Sequence, residues 1–201
     1  MNNGLTVATL IFVSAISPGP NNLLVLNESA TQGVRAALAI TAGIVAGGIV
    51  MLCMARIGLS AAIAELPRMH HAVVVLGSAY LAFLGVKLFW NTNRASTANV
   101  GDADVRTAFG MFGFQFFNPK AWVLAITSVG IWRSPNDAAQ TPFLLLLVMF
   151  AVISCCSLLL WIVFGHWLRD VVTSPRARVL FDRCLGGLLV ASAGLFLMKQ
   201  I

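Results

Sequence analysis

Charge is what this chain lacks. Only 10% of its 201 residues are Asp, Glu, Lys or Arg, against 59% that are apolar by the AVILMFWYC count. A water-soluble domain carries about 25% charged residues, so too few polar side chains are present to cover a water-facing surface. An extramembrane enzyme, a disordered scaffold and a secreted disulfide-framed domain are excluded. The chain reads as an all-α integral membrane protein, one domain over 1–201, and at about 20 residues per helical span little remains for a soluble domain. Cysteine is scarce as well: Cys53, Cys155, Cys156 and Cys184 lie in apolar runs with no C-x-x-C pair or His cluster nearby, and read as small buried hydrophobes rather than disulfide partners or zinc ligands. Nucleophile elbows, phosphate-binding glycine loops and H-E-x-x-H are missing, so the chain is not expected to be an enzyme, and no cofactor or metal is expected. No Lys or Arg occurs from Met1 to Asn27. Without a charged n-region, and with Pro18 and Pro20 in mid-run, this first stretch reads as a retained span and not a signal peptide.

What is present is apolar runs, and they make six spans: about Leu5 to Leu26, Ala36 to Ala55, Ala72 to Trp90, Thr107 to Trp132, Pro142 to Leu168 and Cys184 to Met198. Backbone N–H and C=O groups in hydrocarbon must be paired internally, which runs of this length achieve as helices. The period-2 alternation of a barrel is absent. Trp90, Trp132 and Trp167 lie near span ends, as interfacial belts do, and Lys87 lies late enough in the third span to snorkel. His70 and His71, after Pro67-Arg68, read as solvated loop histidines. The net charge of +6, from 13 Lys and Arg against 7 Asp and Glu, suits anionic lipid headgroups rather than nucleic acid. Arg35, Lys87, Arg94, Arg106 and four arginines from Arg169 to Arg183 fall on one side of the six spans, and Arg56, Arg68, Arg133 and Lys199 on the other. The positive-inside rule then puts both termini outside the cytoplasm.

Pro20 interrupts the first span and Pro119 the fourth, 99 residues apart; Gly77 and Gly85 recur at Gly186 and Gly194, and Gly58 at Gly165. These offsets suggest two three-helix repeats, about 1–91 and 107–201, joined by a cytoplasmic linker at about 92–106. Three spans per half is odd, so the second repeat must lie inverted relative to the first. Gly43-x-x-x-Gly47 is a helix-packing pattern, serving inside the chain or in a homo-oligomer.

The chemistry concentrates at the two breaks. In Ser17-Pro18-Gly19-Pro20-Asn21-Asn22 the prolines free the Ser14 and Ile16 carbonyls; in Gln115-Phe116-Phe117-Asn118-Pro119-Lys120, Pro119 frees that of Gln115. Such segments are tolerated at membrane depth only against protein or a watery cavity, and two of them in matching positions point to a transport site. A small zwitterion suits it, since half-helix starts hold a carboxylate while freed carbonyls and Asn side chains hold an ammonium group. Helical spacing sets Ser14, Ser17, Asn21 and Glu28 in one polar stripe and Gln115, Asn118 and Trp122 in another. The candidate substrate-binding residues are Ser17, Pro18, Gly19, Pro20, Asn21, Asn22, Gln115, Asn118, Pro119 and Lys120. Lys120, far from either end of its apolar run, is a carboxylate partner or a charge that changes in a transport cycle, and Glu28 is the candidate proton carrier. The rival readings are a membrane-embedded enzyme or redox protein and a non-transporting assembly subunit; the first needs clustered titratable groups, the second has no use for two broken helices.

Ser17-Pro18-Gly19-Pro20-Asn21, Gly77-x-x-Tyr80-Leu81-x-x-x-Gly85-x-Lys87 and Phe117-Asn118-Pro119-Lys120-Ala121 resemble the lysine exporter and homoserine/threonine exporter (LysE/RhtB) family over essentially the whole chain. The resemblance implies a multi-pass bacterial inner-membrane exporter of amino acids or their derivatives, driven by the proton motive force, an antiporter whose partners are its substrate, protons and the bilayer. The single acidic residue near the site, Glu28, disfavours a purely dibasic substrate.

Overall fold

The computed structural model describes residues 3–58, 67–90, 107–132, 143–171 and 174–198, without the side chains of 67–74 and 175. Every described regular element is helical: α1 (Asn3–Ile16), α2 (Pro20–Gln32), α3 (Val34–Arg56), α4 (Pro67–Trp90), α5 (Ala108–Phe114), a 3-10 turn (Gln115–Phe117), α6 (Pro119–Trp132), α7 (Phe143–Val171) and α8 (Pro175–Met198). The expectation of an all-α membrane chain holds. Among the described residues three helices are long and apolar enough to cross a bilayer, and the α1–α2 pair, bent by 50° at its break, makes a fourth. The proposed linker 92–106 lies outside the described residues, as do Arg133 and Lys199.

Local chemistry explains the boundaries. Pro20 is the first residue of α2, where its missing N–H costs nothing. Gly33 ends α2 at φ 95°, ψ 173°, a conformation open essentially to glycine alone, and donates its N–H to the Glu28 and Ser29 carbonyls. The Thr107 hydroxyl caps α5 by accepting from the Gly110 N–H at 2.9 Å. Asn118 does the same for α6, its Oδ1 accepting from the Lys120 N–H at 3.1 Å, with Pro119 in the favoured first position.

Two starts differ from the sequence expectation. α8 begins at Pro175 and not near Cys184, because the Ser174 hydroxyl accepts from the Ala177 N–H at 3.1 Å and the charged first turns extend beyond the apolar run. α4 begins at Pro67, so His70 and His71 belong to its first turns rather than to a loop. The cysteines also need correction: all four are free, but Cys156 and Cys184 are exposed and not buried. The surface is apolar, with Phe12, Leu144, Val152, Val163 and Leu195 turned outward, as contact with lipid requires.

Close backbone approach holds the bundle together. A Cβ at Gly43 would overlap the Ala108 carbonyl oxygen, and one at Gly47 would come within 2.8 Å of the Phe112 oxygen, so the Gly43-x-x-x-Gly47 face packs internally, α3 against α5. α2 lies equally close to α7: a Cβ at Gly165 would strike the Leu26 carbonyl, and the buried Ser29 hydroxyl donates to the Ile162 carbonyl at 2.7 Å. This is membrane packing by small residues with a polar tie. α4 and α8 run together through Gly85 and Gly186. Two apolar clusters result. One gathers Leu23, Leu26, Ile40, Leu81, Phe114 and Ile162 around α2 and α5; the other gathers Ile11, Met51, Trp122, Trp132, Leu146 and Phe150 around α1 and α6. The α1–α2 and α5–α6 breaks lie at the junction of the two.

Candidate functional site

The two breaks meet. Asn21, at the start of α2, and Gln115, in the 3-10 turn, form a reciprocal amide pair: Asn21 Nδ2 donates to Gln115 Oε1 at 3.0 Å, and Gln115 Nε2 donates to Asn21 Oδ1 at 3.1 Å. Asn118 Nδ2 adds a second bond to Asn21 Oδ1 at 3.2 Å. Gln115 Nε2 also reaches the Met111 carbonyl at 3.3 Å. Gln115 and Asn118 are each 1% exposed, and buried amides of this kind are retained only when their partners are present.

Lys120, in the first turn of α6, makes the second link. Its ammonium donates to the Ser17 carbonyl at 3.0 Å and to the Ser17 hydroxyl at 2.8 Å. Gly19 leaves room for it, since a Cβ there would lie 3.0 Å from Lys120 Nζ. Asn22 turns back into the break and donates to the Ala15 and Ser17 carbonyls, each at 2.9 Å.

The carbonyls at the breaks are distributed differently from the sequence expectation. The Ser14 carbonyl accepts from the Ser17 hydroxyl at 3.0 Å, that of Ala15 from Asn22, and that of Ser17 from Asn22 and Lys120. The Gln115 carbonyl is not left open, because the 3-10 turn brings the Asn118 N–H onto it at 3.1 Å. Trp122 departs from the polar stripe assigned to it: it is buried in the apolar cluster around α6, its Nε1 donating to the Phe116 carbonyl at 2.9 Å.

Around this joint lies a cavity of about 70 Å³. Gly19, Pro20, Asn21 and Asn22 from the first break line it, with Gln115, Asn118 and Lys120 from the second. Ser17 reaches it through its bonds to Lys120, while Pro18 is exposed and, like Pro119, outside the lining. The lining contains no carboxylate, so Lys120 is its one charged side chain. Two helix starts, α2 and α6, and two helix ends, α1 and the 3-10 turn, converge here, bringing partial positive and partial negative charge to one place.

Glu28 does not line the cavity; it is buried two turns further along α2, 6% exposed. A second buried carboxylate, Asp182 on α8, is also 6% exposed. It lies in the charged stretch that an apolar-run reading assigns to a connection. Sequence reasoning also missed the wall facing the two breaks, formed by Ile44 and Gly48 of α3 with Phe150, Ser154 and Leu158 of α7. All but Ser154 are apolar or glycine inside apolar helices, and a single serine in such a run offers little contrast to find them by.

A model of the family described as LysE type translocator matches residues 12–200 of this chain. Among curated proteins, a cysteine/O-acetylserine efflux protein of Salmonella typhimurium is 30% identical over 159 residues, spanning 79% of this chain and 80% of the relative. The cysteine/O-acetylserine efflux protein of Escherichia coli is 29% identical over 160 residues with the same coverage. No solved structure matches.

Proposed function

Because the chain belongs to the LysE type translocator family, we propose that it is a secondary active exporter of amino acids or amino-acid derivatives in the bacterial inner membrane, driven by the proton motive force. The observation that carries this reading is the hydrogen-bonded joint between two broken helices, whose polar side chains border one cavity inside an apolar bundle.

The substrate is held as a zwitterion. Its carboxylate goes to Lys120 and to the helix starts at Pro20 and Pro119, where N–H groups and the helix dipole favour an anion. Its ammonium takes the Ser17 carbonyl and the Asn21, Asn22 and Asn118 side chains. The Lys120 ammonium rests on the Ser17 carbonyl and hydroxyl. The substrate ammonium is chemically equivalent to it, so binding exchanges one for the other and frees Lys120 to meet the carboxylate. Glu28 carries the coupled proton.

Alternating access follows from two inverted three-helix repeats, six spans in all, with the two halves rocking over the site and both termini outside the cytoplasm. Internal symmetry supports this plan. Asn21 of one break bonds Asn118 of the other, 97 residues on. A Cβ at Gly186 would meet the Gly85 carbonyl at 2.5 Å, and one at Gly85 would meet the Gly186 carbonyl at 2.7 Å. That reciprocal contact is offset by 101 residues, close to the 99 that separate Pro20 and Pro119, and it pairs Gly85 with Gly186 rather than with Gly194, whose Cβ would meet nothing within 4 Å. The efflux activity named for the relatives supports the direction and substrate class.

The test is efflux of labelled cysteine and O-acetylserine from proteoliposomes under an imposed proton gradient. The unaltered protein is expected to accelerate release, and Asn21→Ala and Lys120→Gln, recovered at equal levels in the membrane, to lose it at least tenfold. Gradient-independent release, or full activity in both variants, overturns the assignment.

A further inference from the structure

We propose that Gly48, Phe150 and Ser154 form the side-chain pocket of the transport site and restrict it to small substrates whose side chain ends in a polar atom. The inference rests on the exporter reading above and adds to it which part of the substrate meets which wall.

The cavity has two unlike sides. The two breaks supply its backbone groups, amides and ammonium, which suit the charged ends common to all amino acids and so cannot tell one from another. The rest of the lining comes from α3 and α7, through Ile44, Gly48, Phe150, Ser154 and Leu158, with small and apolar residues of α1 and α6 beside the breaks. Once the zwitterion is held at the breaks, its side chain points to this wall, and discrimination must arise there.

Two features of the wall set its preference. The first is size. The Phe150 ring is seated on Gly48: a Cβ there would overlap its Cζ atom and lie 2.6 Å from Cε1. The ring is 8% exposed and borders the cavity. It therefore acts as a stop, with Gly48 as the notch that lets it stand back. A water needs about 10–15 Å³ of such space, so a cavity of about 70 Å³ holds roughly five to seven water-sized positions. Five are taken by the heavy atoms that every α-amino acid shares, and the remainder admits a side chain of at most about two heavy atoms.

The second feature is polarity. Ser154 is the one polar side chain on this wall, 6% exposed and one turn from Phe150 on the same face of α7. A hydroxyl there can donate to or accept from a substrate hydroxyl, thiol or ester oxygen, while Ile44 and Leu158 offer only apolar contact. A pocket of this kind rejects an added methylene by roughly 10–200-fold.

The experiment measures efflux of labelled serine, cysteine, 2-aminobutyrate, methionine and phenylalanine from proteoliposomes containing the full chain. The unaltered protein is expected to favour serine and cysteine. Phe150→Ala should raise methionine and phenylalanine relative to serine at least tenfold, and Phe150→Leu, which keeps an apolar filler if the alanine variant fails to fold, should do so to a lesser degree. Gly48→Ala should push the ring into the cavity and lower cysteine relative to serine. Ser154→Ala should lower serine relative to 2-aminobutyrate about tenfold. Unchanged ratios in the Phe150 and Ser154 variants, with transport retained, overturn this pocket and leave the exporter reading standing. Failure of the unaltered protein to move any of the five or O-acetylserine overturns that reading and this one with it.

Discussion

Asn21 holds the joint because it alone serves both sides of the second break: its Oδ1 accepts from Gln115 and from Asn118 while its Nδ2 donates back to Gln115. Removing it leaves two buried amides short of an acceptor. Each such group costs about 1–3 kcal/mol, so Asn21→Ala is expected to lower stability by at least that much, read as a fall in the thermal midpoint of the detergent-purified protein. Asn21→Asp keeps an acceptor for both donors but strands the Gln115 oxygen, and should fall between the two. Lys120 behaves differently. It is a point charge on a flexible stem, so Lys120→Arg keeps the charge but sets a wide planar group against Gly19, where a Cβ would already lie 3.0 Å from Nζ. Export is expected to drop several-fold in Lys120→Arg and further in Lys120→Gln, with little change in the thermal midpoint of either. Both residues were legible in the sequence, because polar groups beside prolines contrast with an apolar run. Their mutual pairing was not, since hydrogen bonds spanning 94 and 97 residues depend on how helices pack rather than on local pattern.

Helix breaks and caps are where the sequence carried the most readable physics. Pro20 and Pro119 open α2 and α6 at the residues where each proline stands, because a missing N–H and a fixed φ leave few alternatives. Ser174-Pro175 opens α8 by the same rule. Counting apolar residues passes over it, since Arg176, Arg178, Asp182 and Arg183 break the hydropathy run without breaking the helix. Gly33 separates α2 from α3 at φ 95°, ψ 173°, and Gly33→Ala is expected to destabilise the protein by about 1–3 kcal/mol, with Gly33→Asn no better, because asparagine tolerates positive φ only in the left-handed helical region. Gly165 is constrained by proximity instead: in Gly165→Leu the side chain must displace the Leu26 carbonyl and the Ser29 side chain. Overpacking of this kind costs about 1–3 kcal/mol. The expected result is a lower thermal midpoint together with loss of export, because α2 carries Asn21 and moves with whatever displaces Leu26. Gly187, where a Cβ would meet nothing within 4 Å, is the control: Gly187→Leu should leave both readouts unchanged.

An exporter that works against a gradient must never open both ways at once, and the proposed cycle would use the two apolar clusters that meet near the breaks, one around Leu23, Phe114 and Ile162 and the other around Ile11, Trp122 and Phe150. Coupling to protons needs a group that reports on which barrier is open without itself binding the substrate. Glu28 is placed for that. It is buried, 6% exposed, on the same helix as Asn21 and two turns away, about 10 Å at 1.5 Å per residue, so a change of charge at Glu28 can bias the position of α2 while leaving the cavity lining intact. A proton carrier and a residue of the binding site then give different results in one variant. Glu28→Gln fixes the protonated-like, neutral form, so under the proposed coupling no proton is returned with each cycle. Substrate-for-substrate exchange, which needs no net proton movement, is expected to stay within about twofold of the unaltered protein, whereas uphill export driven by an imposed pH gradient is expected to disappear. Lys120→Gln should lose both. Equal loss of exchange and uphill export in Glu28→Gln would instead place the carboxylate among the groups that hold α2 in shape, and the proton would have to travel by another residue. Because exchange and gradient-driven export are measured on the same vesicles, differences in reconstitution cancel, and the ratio of the two rates reports the coupling alone.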